Sequence, residues 1–133
     1  HCSVRRQRQM CIRDSSNLPK ERIIDSTNYF NVIRDNYPVT PLHTLIIPKR
    51  HILEFTDLTL EEETEFHLIL KKAKSSLKTL DSTITGFNIG INEGQSAGQT
   101  IMHCHIHLIP RRDGDVDNPK GGVRGVIPSK QSY

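Results

Sequence analysis

At 133 residues the chain suits one domain, because a second is expected only as length passes roughly 150 residues. Lysine and arginine total 18 against 15 acidic residues, but Arg5, Arg6, Arg8, Arg13 and Asp14 fall in the first fifteen positions, and the rest balances at 14 of each sign. That balance gives no support for a nucleic-acid or membrane partner. No apolar run approaches the ~20 residues that span a bilayer and no basic-then-apolar leader opens the chain, so a cytoplasmic protein is expected. In chain order, Asn17 to Ile24 reads as a polar loop or short helical entry. Tyr29 to Asp35 is rich in β-formers and reads as a strand. Asn36 to Leu42, with Pro38 and Pro41, reads as a turn. His43 to Ile47 is a second strand, stopped by Pro48. Thr59-Leu60-Glu61-Glu62 has the capping-box form and opens a long helix. Its apolar stripe is Phe66, Leu70, Ala73, Leu77 and Leu80, and its His67 is a surface residue. Thr85 to Asn92 and Ile101 to Pro110 are the third and fourth strands. Strands joined mostly through turns, with one helix between the second and third, predict an α+β domain: an antiparallel sheet with helices segregated to one side. Asp113 to Tyr133 lacks a sustained period and reads as an extended tail, with Gly121 to Pro128 folding over the body or a partner subunit.

The first fifteen residues read differently from the rest. Arg5-Arg6-Gln7-Arg8-Gln9-Met10-Cys11-Ile12-Arg13-Asp14-Ser15 back-translates into the transposase adapter of tagmentation sequencing libraries. His1 fits the end of a flow-cell adapter, with Cys2 to Val4 covering an index. The expectation is a non-native segment at 1–15 joined to a gene fragment, a domain at 16–112 and a tail at 113–133. Such segments are set aside in fold reasoning. Three cysteines do not make an even disulfide framework. Cys104 alone lies beyond the adapter, and between two histidines on a strand it reads as a small apolar packing residue.

Function concentrates at His103-Cys104-His105-Ile106-His107. In a strand, alternate side chains share a face, so all three imidazoles are expected on one face, toward a cleft, with Cys104, Ile106 and Leu108 toward the core. Imidazole titrates near neutrality and can attack, donate or accept protons. A zinc site is the competing use of alternating histidines. The preceding loop, Asn92-Glu93-Gly94-Gln95-Ser96-Ala97-Gly98-Gln99-Thr100, offers backbone N–H groups and neutral donors, which suit a phosphate better than a cation.

Gly98 to Arg111, with its three alternating histidines, resembles the signature of the histidine-triad (HIT) family of nucleotide hydrolases and transferases. Pro41-Leu42-His43-Thr44-Leu45-Ile46-Ile47-Pro48-Lys49-Arg50-His51 resembles that family's preceding strand and fourth histidine. The resemblance implies the HIT fold, an antiparallel meander usually found as a homodimer, with an N-terminal strand that truncation has removed or damaged. It implies attack by His105 on the α-phosphorus of a nucleotide, in dinucleoside polyphosphates such as diadenosine polyphosphates or in nucleoside phosphoramidates, through a nucleotidyl-histidine that needs no bound cofactor. His107 would then contact the phosphate oxygens or the bridging atom. His103 and His43 would fix ring orientation and tautomer. Asn92, Gln99 and Thr100 would bind the transferring group and its leaving side, and Asp35 would bind ribose. The base would lie near Ile33 and Leu18, and Arg111, Arg112 and Arg124 are candidates for further phosphates. Some bacterial relatives hold a structural zinc, which here would use His51, His103 and cysteines at the positions of Arg13 and Ser16, so zinc is expected only in an untruncated form. The alternative is a HIT module that holds nucleotides or protein partners without turnover.

Overall fold

The computed structural model describes residues 18–133; the expectations for residues 1–15, and for Arg13 and Ser16 as zinc positions, lie outside the described residues. Five strands form: β1 (Ile23–Ser26), β2 (Phe30–Arg34), β3 (Thr44–Pro48), β4 (Ile84–Gly90) and β5 (Ile106–Arg112), with helix α1 (Leu60–Leu80) between β3 and β4. Their order across the sheet is β1-β2-β3-β5-β4, and every neighbouring pair is antiparallel. The α+β expectation is met by this open sheet and its single long helix.

Two boundaries differ from the expected ones. Ile23–Ser26, whose first two residues were expected in a loop or short helical entry, is an edge strand that follows one turn of 3₁₀ helix at Lys20–Arg22. Its half-buried, half-exposed alternation is that of an edge strand, and four residues are too few to show a period in sequence. The last strand begins at Ile106 rather than Ile101. Before it, the Cys104 N–H donates to Ile52 O at 2.7 Å, so this stretch bonds to a loop instead of a neighbouring strand.

The register assigns the two faces. Ile46 lies opposite Ile106 and Leu45 opposite His107, so Ile46 and Ile106 share one face while Leu45 and His107 share the other. The first face packs against α1: Phe30, Val32, Ile46, Ile52, Leu58, Ile69, Cys104 and Ile106 form one buried cluster. Leu77, Ile84 and Leu108 continue it. On the opposite face Leu18, Ile33, Leu45, Ile47 and Ile101 close over half the sheet, and the histidine side chains occupy the remainder. Cys104 is a core residue as expected; burial pushes its thiol up to about 12, which keeps it out of nucleophilic chemistry at neutral pH.

Helix α1 starts as its sequence predicts. Thr59 Oγ1 accepts from the Glu62 N–H at 3.2 Å, and Glu62 Oε1 accepts from the Thr59 N–H at 2.8 Å. Its inward stripe differs at two places: Ile69 is buried, whereas Leu80 in the last turn is 65% exposed. His67 is exposed, as expected. Glu62 also binds Arg50, whose Nη2 donates to Oε1 at 2.8 Å and to Asp57 O at 2.8 Å. One buried carboxylate therefore fastens the loop after β3 to the start of α1. The Arg50 hydrogen bond holds the Glu62 carboxyl below its ordinary value. This contribution to stability is present above about pH 4.5, the unfolded carboxyl's range, and is lost as pH falls toward the lowered folded value. Glu62→Ala is expected to cost about 1–3 kcal/mol in urea unfolding at pH 7, with the difference from the parent shrinking below pH 4. An unchanged midpoint at pH 7 would remove the fastening role.

Candidate active site

The turn between β2 and β3 delivers the first histidine. Leu42 sits at φ 71°, a region that a branched side chain seldom occupies. It is held there by neighbours: Thr44 Oγ1 donates to Leu42 O at 2.8 Å, and Thr40 Oγ1 donates to Pro110 O on β5 at 2.6 Å. His43 follows, 2% exposed, with its backbone oxygen accepting from the Asp35 N–H at 2.9 Å.

Fixed backbone partners then determine where each proton resides. The Val39 N–H donates to His43 Nδ1 at 3.1 Å, so neutral His43 carries its proton on Nε2. That proton is donated to His107 Nδ1 at 2.9 Å, which places the His107 proton on Nε2. His105 Nδ1 lies 2.9 Å from the His103 carbonyl oxygen; a carbonyl only accepts, so the His105 proton is on Nδ1 and its lone pair on Nε2. The two rings stand edge to face, 5.1 Å between centroids. A nucleophilic nitrogen and a proton donor thus occupy adjacent rings.

The triad does not lie on one open face as expected. His105 and His107 line a cavity of about 860 Å³ together with His43. His103 is fully buried behind them, its Nε2 donating to Pro48 O at 2.8 Å. The strand register that would carry all three outward begins only at Ile106, which turns His103 toward His51 instead. His103 supports the site through its backbone: its carbonyl sets the tautomer of His105.

The loop from Asn92 to Thr100 forms the next part of the wall. Asn92, Gln99 and Thr100 all line the cavity. Gly98 ends a 3₁₀ turn at φ 93°, a left-handed conformation that glycine adopts without strain. Gln99 is used structurally: its Oε1 accepts from the Gly94 N–H at 2.9 Å, and its Nε2 donates to Leu53 O at 3.4 Å and Ile101 O at 3.2 Å. Asn92 and Thr100 are exposed side chains on the cavity wall.

Other expected site residues fall elsewhere. Asp35 is 6% exposed; Oδ1 accepts from the Tyr37 N–H at 2.8 Å and Oδ2 lies 3.7 Å from His43 Nε2. Its carboxylate faces the histidine pair and is not among the cavity-lining groups. Ile33 and Leu18, expected near the base, are packed together in the core. Arg111 lines the cavity with its charge engaged by Asp115, at 2.8 Å through both Nε and Nη2. Arg112 binds Asp81, and Arg124 lies over the Tyr133 ring at 4.8 Å. Sequence reasoning missed Asn88, Val116 and Val123 as cavity residues; only the topology brings the tail back across β4.

Two groups invite a test for metal. His51 and His103, the expected zinc remnant, approach with Nδ1 atoms 3.0 Å apart, a hydrogen bond between the atoms that would ligate. No third histidine, cysteine or carboxylate joins them among the described residues. Zinc takes about four donors, so these residues do not fit it. Asp35, His43 and His107 offer three ligand atoms within 4.8 Å of one another, but the His43–His107 hydrogen bond already uses two nitrogens of that set.

Comparison with known proteins agrees with this geometry. The HIT domain family matches residues 16–114. The bifunctional bis(5'-adenosyl)-triphosphatase/adenylylsulfatase FHIT of Arabidopsis thaliana is 35% identical over 121 residues, covering 86% of this chain and 67% of that protein. The structure of the Caenorhabditis elegans NitFhit protein aligns with a TM-score of 0.70 at 34% identity, over 84% of this chain and 26% of that one. This chain therefore spans about a quarter of that relative's length. Plasmodium falciparum diadenosine triphosphate hydrolase in complex with Cyclomarin A aligns with a TM-score of 0.69 at 26% identity, covering 87% and 86% of the two chains. With the family matched over most of its length and the paired histidines in place on the expected sheet, the chain belongs to the HIT domain family.

Proposed function

We propose that this protein is a nucleotide hydrolase or transferase that cleaves at the α-phosphate of dinucleoside polyphosphates or nucleoside phosphoramidates through a covalent nucleotidyl-histidine. The observation that carries the reading is the pair of complementary tautomers: a lone pair on His105 Nε2 beside a proton on His107 Nε2. The names of the relatives, a bis(5'-adenosyl)-triphosphatase among them, support the substrate class. In the first step His105 Nε2 attacks phosphorus, forming a P–N bond as the bond to the leaving group breaks. His107 Nε2–H donates a hydrogen bond to the departing atom, which takes its proton from water, because this ring's single proton could not be transferred without leaving an imidazolate. The adduct leaves His105 cationic, and its Nδ1–H continues to donate to the His103 carbonyl, which stabilises that charge. In the second step water attacks phosphorus, the P–O bond forming as the P–N bond to His105 breaks, and the water's proton passes to solvent. Asn92 and Thr100 provide neutral donors for the phosphoryl oxygens. Splitting one substitution into two needs no metal ion. A binder without turnover has no use for this opposed pair, which favours the enzyme.

The deciding experiment is mass spectrometry of protein quenched during reaction with a panel of adenylyl and guanylyl substrates. An adduct of nucleotidyl mass on His105 is expected; turnover without any adduct would replace the covalent route with direct attack by water.

Ribose recognition by Asp35 belongs to the same proposal. Asp35→Ala is expected to weaken ribonucleotide binding by about 1–3 kcal/mol while 2′,3′-dideoxy analogues lose far less. Equal losses for both would leave Asp35 as a turn residue that positions His43. We further propose a cytoplasmic homodimer, for which light scattering should give twice the chain mass.

A further inference from the structure

The turn that carries His43 is fastened from the far side of the sheet. Arg34 lies opposite Thr44 in the β2–β3 register, and Thr44 lies opposite Leu108. Leu108 belongs to the core cluster that includes Leu77 of α1, so Arg34 and Thr44 share the face that packs against the helix. Neither lines the cavity. Arg34 Nη1 donates to Thr44 Oγ1 at 2.9 Å, and Thr44 Oγ1 donates to Leu42 O at 2.8 Å. The direction follows from the groups. A guanidinium only donates, so the Thr44 hydroxyl accepts from Arg34 and its single proton is left for Leu42 O. Thr44 is fully buried, which shields that relay from bulk water.

Leu42 needs such a hold. Its φ of 71° is strained for a residue with a Cβ, whereas glycine adopts it freely. The leucine side chain packs against the cluster of Leu77, Ile84 and Leu108, a burial that glycine would forgo. Side chain and carbonyl therefore anchor the residue twice from the helix side. On the other side the same turn closes on His43, whose N–H donates to Thr40 O at 3.1 Å and whose Nδ1 accepts from the Val39 N–H at 3.1 Å. That second bond gives the His43–His107 pair its direction. Two neutral imidazoles 2.9 Å apart can share a proton either way round. Reversed, His43 would carry its proton on Nδ1, donor against donor with Val39 N–H, and His107 would be left with a lone pair on Nε2.

We propose that Arg34 and Thr44 are positioning residues that act through Leu42 to hold the turn against His43 and so fix the direction of the His43–His107 hydrogen bond. The inference rests on the proposed nucleotidyl transfer for its kinetic consequence alone. With the Leu42 carbonyl released, the residue relaxes toward negative φ, the Val39 N–H withdraws from His43 Nδ1, and the reversed pair becomes populated. In that fraction of molecules His107 Nε2 opposes the departing atom with a lone pair instead of donating to it. The relay does not touch the cavity, so its loss leaves substrate binding in place.

The test is imidazole ¹⁵N NMR of the full chain at about pH 9, where the rings are neutral, with kcat and KM measured in parallel. The parent is expected to show the His107 proton on Nε2 and the lone pair on Nδ1. Thr44→Val keeps the shape but neither accepts nor donates. It is expected to reverse the pair in about nine-tenths of the molecules and to lower kcat for an amine-releasing adenylyl substrate roughly 10-fold, in step with the surviving fraction. KM should hold, and a p-nitrophenyl ester of the same adenylyl group should turn over with little change. Thr44→Ser should restore both readouts. Leu42→Gly added to Thr44→Val should restore most of the parent tautomer, because glycine needs no hold at this φ. Should Thr44→Val fail to fold, Arg34→Met leaves the Thr44 hydroxyl able to turn away from Leu42 and carries the same expectation in smaller measure. Parent tautomers retained in these variants, or equal loss of kcat on both substrates with the tautomers unchanged, would overturn the positioning role and leave the proposed function standing. No turnover of either substrate by the parent would overturn the proposed function, while the NMR comparison would still decide the relay.

Discussion

His105→Asn is expected to abolish the acid-labile nucleotidyl adduct and lower turnover on the order of 10⁴-fold, about 5–6 kcal/mol of transition-state stabilisation. Nucleotide binding should persist, because the substituted side chain is polar and of similar reach. The magnitude follows from removing the nucleophile: without it the remaining donors position a substrate but cannot divide the substitution into two easier steps. His103 cannot take over. Its ring is buried, with Nε2 donating to Pro48 O and Nδ1 directed at His51, so neither nitrogen presents a lone pair to the cavity. His107 cannot take over either while its Nδ1 accepts from His43 and its Nε2 holds a proton. Peptide mapping of the quenched parent protein checks this directly. An adduct on His103 or His107, or an adduct that survives in His105→Asn, would overturn the assignment.

The histidines were legible in sequence as a group but not in their separate roles. Alternation across His103, His105 and His107 implies one shared face, and that holds for His105 and His107, which line the same cavity. It fails at His103 because the Cys104 N–H bonds to Ile52 O, a contact between residues far apart in sequence that no local period encodes. The start of α1 was legible to the residue, since a capping box is a local pattern whose partners lie three positions apart. The inward stripe of the same helix was less so: Ile69 faces the core and Leu80 does not. The edge strand Ile23–Ser26 was missed for want of length. The tail was read as folding over the body or a partner subunit; that it lines this cavity was not legible, because its anchor depends on Asn88 and Arg111, which only the β4–β5 pairing brings together. Cys104 was read correctly as a packing residue: it is 1% exposed in the core cluster.

His107→Asn should show an effect that depends on what is leaving. With an amine or alkoxide departing, loss of the His107 Nε2–H hydrogen bond is expected to slow turnover roughly 10²–10³-fold, the usual range for removing one preorganised donor to developing charge. With p-nitrophenolate departing from the same adenylyl group, the loss should be far smaller, since that anion needs no proton to leave. His43→Phe should reproduce a milder version of the same pattern. It removes the Nε2–H that is donated to His107 Nδ1 and so frees the His107 ring to adopt the other tautomer, with its proton turned away from the substrate. A role in gripping the phosphoryl oxygens instead would slow both substrates equally, because those oxygens are common to both. The comparison of kcat for the two leaving groups in each variant therefore separates a hydrogen bond to the departing atom from phosphate binding. Equal losses would keep His107 in the site with its N–H aimed at the phosphoryl oxygens, and the directed chain from Val39 through His43 to His107 would then hold it there.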